Sequence, residues 1–191
     1  SRSRFGQAVQ LVAVTKGQPE VALQQFLRIQ SQSAAPVLFG ENYVQEWQQK
    51  RAALTGSYGV HLIGPLQSNK ASKAAALFDV IESVHSDKIL GALAHEAEKI
   101  GKTQGIFLQV NISGDEAKAG FAPAEIQQAV TRAKSFRHLL LLGLMTITRD
   151  YAVAEEARAD FRALRELRDS VDPALGLSMG MSGDFEVAIE E

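Results

Sequence analysis

Leu11-Val12-Ala13-Val14-Thr15-Lys16, closed by Gly17-Gln18-Pro19, is the stretch from which this chain is best read. The run is short, apolar and rich in β-branched residues, the pattern of a strand covered on both faces. It ends on a single lysine. A lysine at the tip of a buried strand has two possible fates. It snorkels outward and keeps its ammonium in water, or it points into a pocket enclosed by strand tips, where lost hydration lowers its pKa toward nucleophilic use. The run alone leaves both open.

Similar runs recur along the chain, at 37–41 (VLFGE), 59–63 (GVHLI), 80–84 (VIESV), 106–112 (IFLQVNI), 139–145 (LLLLGLM) and 176–180 (GLSMG). With 11–16 they make seven predicted strands. Helical patterns fill the intervals, over Glu20–Gln30, Val44–Leu54, Ser68–Leu77, Lys88–Ile100, Ala124–Phe136 and Ala154–Ser170, with a last one from about Asp184. Pro123 at a first helical position and Ser86-Asp87 as a cap are good start signals.

Apolar strands alternating with helices predict a parallel sheet, either doubly wound or a (β/α)8 TIM barrel. The distribution of polar and glycine residues separates the two. They stand at the carboxyl end of nearly every strand, as Lys16, Asn42, Gly64, His85, Asn111 with Ser113, Thr146 and Ser182. A doubly wound sheet concentrates such residues at one switch point, whereas a barrel spreads them around a ring. The spread predicts a barrel whose eighth and last strand is absent from the given chain.

Composition narrows the function. The 191 residues are 46% hydrophobic and 22% charged, enough for a substantial core. Without a long Gly/Ser or Pro linker, residues 1–191 read as a single domain. A net charge of -2, with both signs mixed throughout, offers no basic field for nucleic acid. The absence of cysteine removes disulfides, thiolate metal sites and a cysteine nucleophile. The most apolar stretch, Leu139 to Met145, is far too short for a membrane span, and Ser1-Arg2-Ser3-Arg4 lacks a signal core. A cytoplasmic, non-membrane protein is expected, with a trimmed start because the first residue is not methionine.

Three constellations bear on chemistry. In Phe39-Gly40-Glu41-Asn42-Tyr43, Asn42 is either a ligand-binding amide at a strand tip or a helix N-cap, while Glu41 caps or braces the next helix. His61 lies on the strand before Gly64-Pro65, as a satisfied core histidine or a ligand. His85, His95 and His138 show no metal-ligand spacing. Ser178-Met179-Gly180-Met181-Ser182-Gly183-Asp184 is either a plain βα turn capped by Asp184 or a phosphate loop whose free N–H groups and Ser182 hydroxyl hold an anion. It is no P-loop and no dinucleotide fingerprint. An amine on the first strand and an anion site on the seventh, parted in a closed barrel only by the eighth, together fit a phosphorylated aldehyde. Pyridoxal phosphate is such a molecule.

Six segments in register now carry a resemblance: LVAVTK (11–16), FGENYVQE (39–46), HLIGPLQSNK (61–70), VNISGDEAKAGF (110–121), GLMTI (143–147) and LSMGMSGD (177–184). Together they closely resemble the pyridoxal phosphate homeostasis family, which is similar to the amino-terminal barrel of alanine racemase. The resemblance covers nearly the whole chain. It implies a barrel holding pyridoxal phosphate as a Schiff base on Lys16, with Asn42 and His61 lining the ring and Gly180 and Ser182 clamping the phosphate. Ser178, Asn111 and Met145 are further candidates for the same pocket. It also implies a Gly-Ala-Thr-x-Val-Arg-Ile-Gly type segment after the position of Glu191, which forms the last strand and brings an arginine to the pyridine nitrogen. The loop at Ile147-Thr148-Arg149-Asp150 is shorter than the resemblance implies.

Two functions follow. The first is a carrier that holds the cofactor for vitamin B6 homeostasis without substrate turnover, with cofactor-requiring apo-enzymes as partners. The second is an enzyme, either an amino-acid racemase or a Schiff-base aldolase. Racemisation needs a second base on the opposite face of the imine, and the chain has no second domain to bring one. The carrier is therefore the expectation, and a lone barrel with charged helix faces reads as a monomer.

Overall fold

A computed structural model describes residues 8–30, 36–115 and 117–191. Its seven strands are β1 (Val12–Val14), β2 (Leu38–Glu41), β3 (Gly59–Leu62), β4 (Val80–Val84), β5 (Gln104–Gln109), β6 (Leu139–Met145) and β7 (Gly176–Ser178). They form one sheet in chain order, with each neighbouring pair parallel. A doubly wound sheet would reverse direction at a switch point; this one never does. The connecting helices are α1 (Glu20–Gln30), α2 (Val44–Lys50), α3 (Ala71–Leu77), α4 (Asp87–Lys99), α5 (Ile126–Ser135), α6 (Arg158–Val171) and α7 (Phe185–Glu190).

One hydrogen bond shows that the sheet is curled. Ser178 Oγ on β7 donates to Glu82 Oε2 on β4 at 2.5 Å. In a flat sheet three strand spacings would part these residues by about 14 Å. Their side chains therefore meet across the inside of a curl, and β1 and β7 are its two edges. A curled, barrel-type sheet of seven parallel strands, as predicted, is what the topology gives among the described residues.

The outer face of the curl carries the core. Phe39, Leu62, Ile81, Ile106, Leu108 and Leu144 point from the strands into a buried cluster with Leu23, Trp47, Leu93, Ile126, Ala133 and Leu164 of the helices. Phe39 packs its ring against Phe26, Trp47 and Tyr58 at 5.6–6.3 Å between centroids. Trp47 uses its indole N–H to satisfy Leu77 O at the end of α3. Burying that much aromatic surface fixes α1, α2 and α3 to the sheet and so fixes the loops that enter and leave them.

Several predicted bounds shift. β1 ends at Val14, and Thr15 still donates its N–H to Gly40 O, but Lys16 already lies in a turn. β5 runs 104–109 instead of 106–112; beyond it Val110 bridges to Phe121 and donates its N–H to Met145 O. β7 stops at Ser178. The first turns predicted for three helices are tighter 3-10 turns, Ser68–Lys70, Pro123–Glu125 and Ala154–Ala157. Ser86 caps α4 as expected, its Oγ accepting Ile89 N–H at 3.4 Å. Among the described residues no helix is long and apolar enough to cross a membrane.

Candidate functional site

Because all seven strands point the same way, their carboxyl ends share one rim. Lys16 follows β1, Asn42 follows β2, Gly64 follows β3 and the 179–184 turn follows β7. The predicted ring of polar and glycine residues is therefore real.

Lys16 itself is exposed. Of the two fates open to it, its position here is the solvent-exposed one. The cause is its position in a turn at the end of an edge strand, which is flanked on one side only. Displaced pKa values are found at Lys50 and Lys102. Burial opposes the ammonium of Lys50, but its hydrogen bonds to Glu46 and Glu41 outweigh that and raise its pKa. Burial holds Lys102 below the ordinary lysine range, with the charge of Asp79 working the other way. Lys102 donates to Ala75 O and Phe78 O near the opposite end of the sheet, so it does not compete for the rim.

The backbone around Lys16 is firmly held. Lys50 Nζ donates to Thr15 O at 2.6 Å, to Glu41 Oε1 at 3.0 Å and to Glu46 Oε1 at 2.6 Å. Glu46 Oε1 also accepts Gly17 N–H at 2.6 Å, and Glu41 Oε1 accepts Thr15 Oγ1–H at 2.7 Å. The Lys50–Thr15 and Glu46–Gly17 bonds thus bracket Lys16 on both sides. Glu41 braces α2 as anticipated, and it reaches β1 as well.

Asn42 is not a helix cap. The residue at the cap of α2 is Tyr43, and Asn42 Oδ1 is buried without a hydrogen-bond partner. Gly64 makes this packing possible, since a Cβ there would lie 2.3 Å from Asn42 O. A buried carbonyl oxygen left bare costs free energy unless a ligand or water supplies a donor. On the inner face, Gly40 pairs in register with His61. His61 Nδ1 lies 2.5 Å from Glu82 Oε1, and Ser178 holds the other oxygen of the same carboxylate. The carboxylate sits between the imidazole and the hydroxyl, so His61 does not activate Ser178 as a nucleophile.

Glu82 is the residue that sequence reasoning missed. It is 2% exposed, and a charged side chain inside VIESV was the available signal. The predicted βα turn after β7 keeps Ser182 exposed, and Gly180 takes φ +91°, where a Cβ would lie 2.8 Å from Ala188 Cβ. Asp184 stands at the cap position of α7, but its Oδ1 accepts Met181 N–H and so closes the turn, not the helix. Asn111 braces its own loop through Asp115 and Lys118, and Met145 is buried at 3% exposure. Among the described residues no group of three or more His, Asp or Glu could hold a metal.

A curled parallel sheet with an amine, an amide and a glycine-rich turn on its carboxyl rim defines a barrel-type binding domain. Comparison with known proteins agrees. The chain belongs to the alanine racemase N-terminal domain family, whose model matches residues 1–190, and within it to the pyridoxal phosphate homeostasis proteins. The homeostasis protein of Pseudomonas aeruginosa is 37% identical over 96% of this chain and 78% of its own length. That of Schizosaccharomyces pombe is 33% identical over 99% of this chain and 81% of its own. PipY of Synechococcus elongatus, solved with pyridoxal phosphate bound, superposes at a TM-score of 0.80 with 35% identity, covering 95% of this chain and 85% of that one. An alanine racemase of Clostridium difficile shares the fold at a TM-score of 0.67 and 13% identity.

Proposed function

We propose that this chain binds pyridoxal phosphate and serves its homeostasis in the cytoplasm, holding the cofactor on Lys16 without turning over a substrate. The observation that carries this reading is the meeting of Lys16, Asn42 and the 180–183 turn on one rim, in a family that includes a homeostasis-type barrel solved with that cofactor. The donor set fits the group. Lys16 offers an accessible primary amine for the aldehyde carbon. Asn42 has a side-chain oxygen with no partner, and His61 lies on the inner face beneath the rim. Ser182 and the backbone by Gly180 and Gly183 are open to an anion. When bound, pyridoxal phosphate supplies an aldehyde and an electron-withdrawing ring.

Storage is the simpler chemistry for this donor set, in which Glu82 ties His61 Nδ1 and Ser178 Oγ together on the inner face. Holding a reactive aldehyde needs an amine and an anion site; it does not need a second base. Apo-enzymes that require the cofactor are the partners this reading implies.

Titration of the protein with pyridoxal phosphate tests the reading. Visible absorbance distinct from that of the free cofactor should appear with wild type and vanish with Lys16→Ala. Racemisation of alanine enantiomers well above the rate with free cofactor would overturn the carrier reading. Cleavage of a sugar phosphate without added cofactor would favour the aldolase.

A further inference from the structure

We infer that the Glu41–Lys50–Glu46 network is a positioning device for Lys16, resting on the proposal that Lys16 anchors the cofactor. An exposed lysine in a turn after an edge strand has a mobile side chain and, without further support, a mobile backbone. Such an amine would sample many places besides the mouth of the curl. Here the two peptide groups flanking Lys16 are both fixed, and by one cluster. Thr15 O accepts from Lys50 Nζ at 2.6 Å, and Gly17 N–H donates to Glu46 Oε1 at 2.6 Å. Lys50 ties Glu46 to Glu41, and Glu41 in turn takes the Thr15 hydroxyl.

The placement of these residues is informative. Glu41 is fully buried and Lys50 is 6% exposed, so their charge-assisted hydrogen bonds are directional and strong, while Glu46 stands at the partly exposed margin of the cluster. The Thr15 side chain goes to the outer, helix-facing side with Glu41, while β1 turns Val12 and Val14 toward Gly40 on the inner side. Glu41 and Lys50 thus act from behind the sheet, and the network reaches the rim through the backbone of Thr15 and Gly17. A merely structural ion pair needs no hydrogen bond to the backbone on either side of Lys16.

Capture of an aldehyde joins the Lys16 nitrogen to the carbonyl carbon and releases one water. Fixing the backbone beforehand removes part of the ordering cost of that step. Loss of one flank should weaken covalent capture about tenfold, the effect of freeing roughly one residue's backbone.

The test uses Glu46→Ala, Glu46→Gln and wild type. Glu46 is on the partly exposed side of α2, and each variant is checked for a native circular dichroism spectrum and thermal midpoint. Covalent capture is read as the pyridoxal phosphate concentration giving half-maximal borohydride-trapped adduct on Lys16. Non-covalent binding is read with pyridoxine 5′-phosphate, which lacks the aldehyde. Glu46→Ala should raise the half-maximal concentration about tenfold and leave pyridoxine phosphate affinity unchanged. Glu46→Gln, which keeps an oxygen for Gly17 N–H, should restore capture. Lys50→Met, if it folds, should match or exceed the alanine defect. Equal capture by wild type and Glu46→Ala overturns the positioning role while leaving the proposed function intact. Parallel loss of both ligands in Glu46→Ala also overturns it, since a general loss of structure then explains the defect. No adduct with wild type overturns the proposed function and this inference with it.

Discussion

Ser178→Ala removes the hydrogen bond that reaches from β7 to β4 across the inside of the curl. Its partner, Glu82, is nearly fully buried, and the bond is to a carboxylate, a class that contributes about 1.5–3 kcal/mol. The substitution also leaves Glu82 Oε2 without a donor. A loss of about 2 kcal/mol is expected, which for a chain of this length lowers the thermal midpoint by about 4–8 °C. Ser170→Ala is the control, because that exposed hydroxyl bonds only Leu167 O within its own helix, and its effect should stay within about 0.5 kcal/mol. Combining Ser178→Ala with Glu82→Gln should give a coupling of about 1–2 kcal/mol, since the two residues share one contact. Hydrogen exchange adds a local readout: the β7 amides should lose protection before those of β4 and β5. A Ser178→Ala protein with an unchanged midpoint and unchanged β7 exchange would refute the idea that this bond holds the seventh strand to the curl.

Further outcomes follow from the same geometry. Lys50→Met leaves Glu41 buried without its cation and should cost about 3–5 kcal/mol by urea unfolding; a cost under about 1 kcal/mol would contradict a buried ion network. The Glu46 pKa is lowered by its hydrogen bond from Lys50 and by the Gly17 N–H. Its stabilisation is thus complete above the ordinary carboxylate range and is lost as pH falls through the lowered value, so Glu46→Ala should flatten the acid limb of a stability-against-pH curve. The raised pKa of Lys50 acts in the other direction: its contribution is complete below the ordinary lysine pKa and disappears as pH rises through the higher folded value. Gly64→Ala drives a methyl into the Asn42 backbone and should cost about 1–3 kcal/mol while weakening pyridoxal phosphate binding, measured by unfolding and by titration.

Much of this architecture was legible because most strands are largely apolar runs and the longer helices have a clear apolar face. Strand order followed from the ring of polar tips, and β4 and β6 fell at the predicted bounds. β5 did not, because Gln104-Gly105 reads as a loop. In the fold, Gln104 is buried and its amide satisfies Asp79 O and Gly105 O, a tertiary pairing that local patterning does not contain. The rim residues were legible as strand-tip polar groups. What they touch was not. Lys16 is exposed because β1 is an edge, a fact about neighbours and not about the run itself. Ser178 looked like a pocket residue, yet its hydroxyl is committed to Glu82, and that contact joins positions 96 apart in the chain. Asn111 was a candidate for the same pocket, and its side chain ties its own loop. Lys50, invisible as one more helix lysine, proves to be the buried one.

The most direct measurement is peptide mapping after borohydride reduction of the protein incubated with pyridoxal phosphate. The account predicts one modified peptide, carrying the phosphopyridoxyl group on Lys16, with Lys50 and Lys102 unmodified because their amines are already bound to carboxylate or carbonyl oxygens. Label spread evenly over exposed lysines, or concentrated on any lysine other than Lys16, would contradict it.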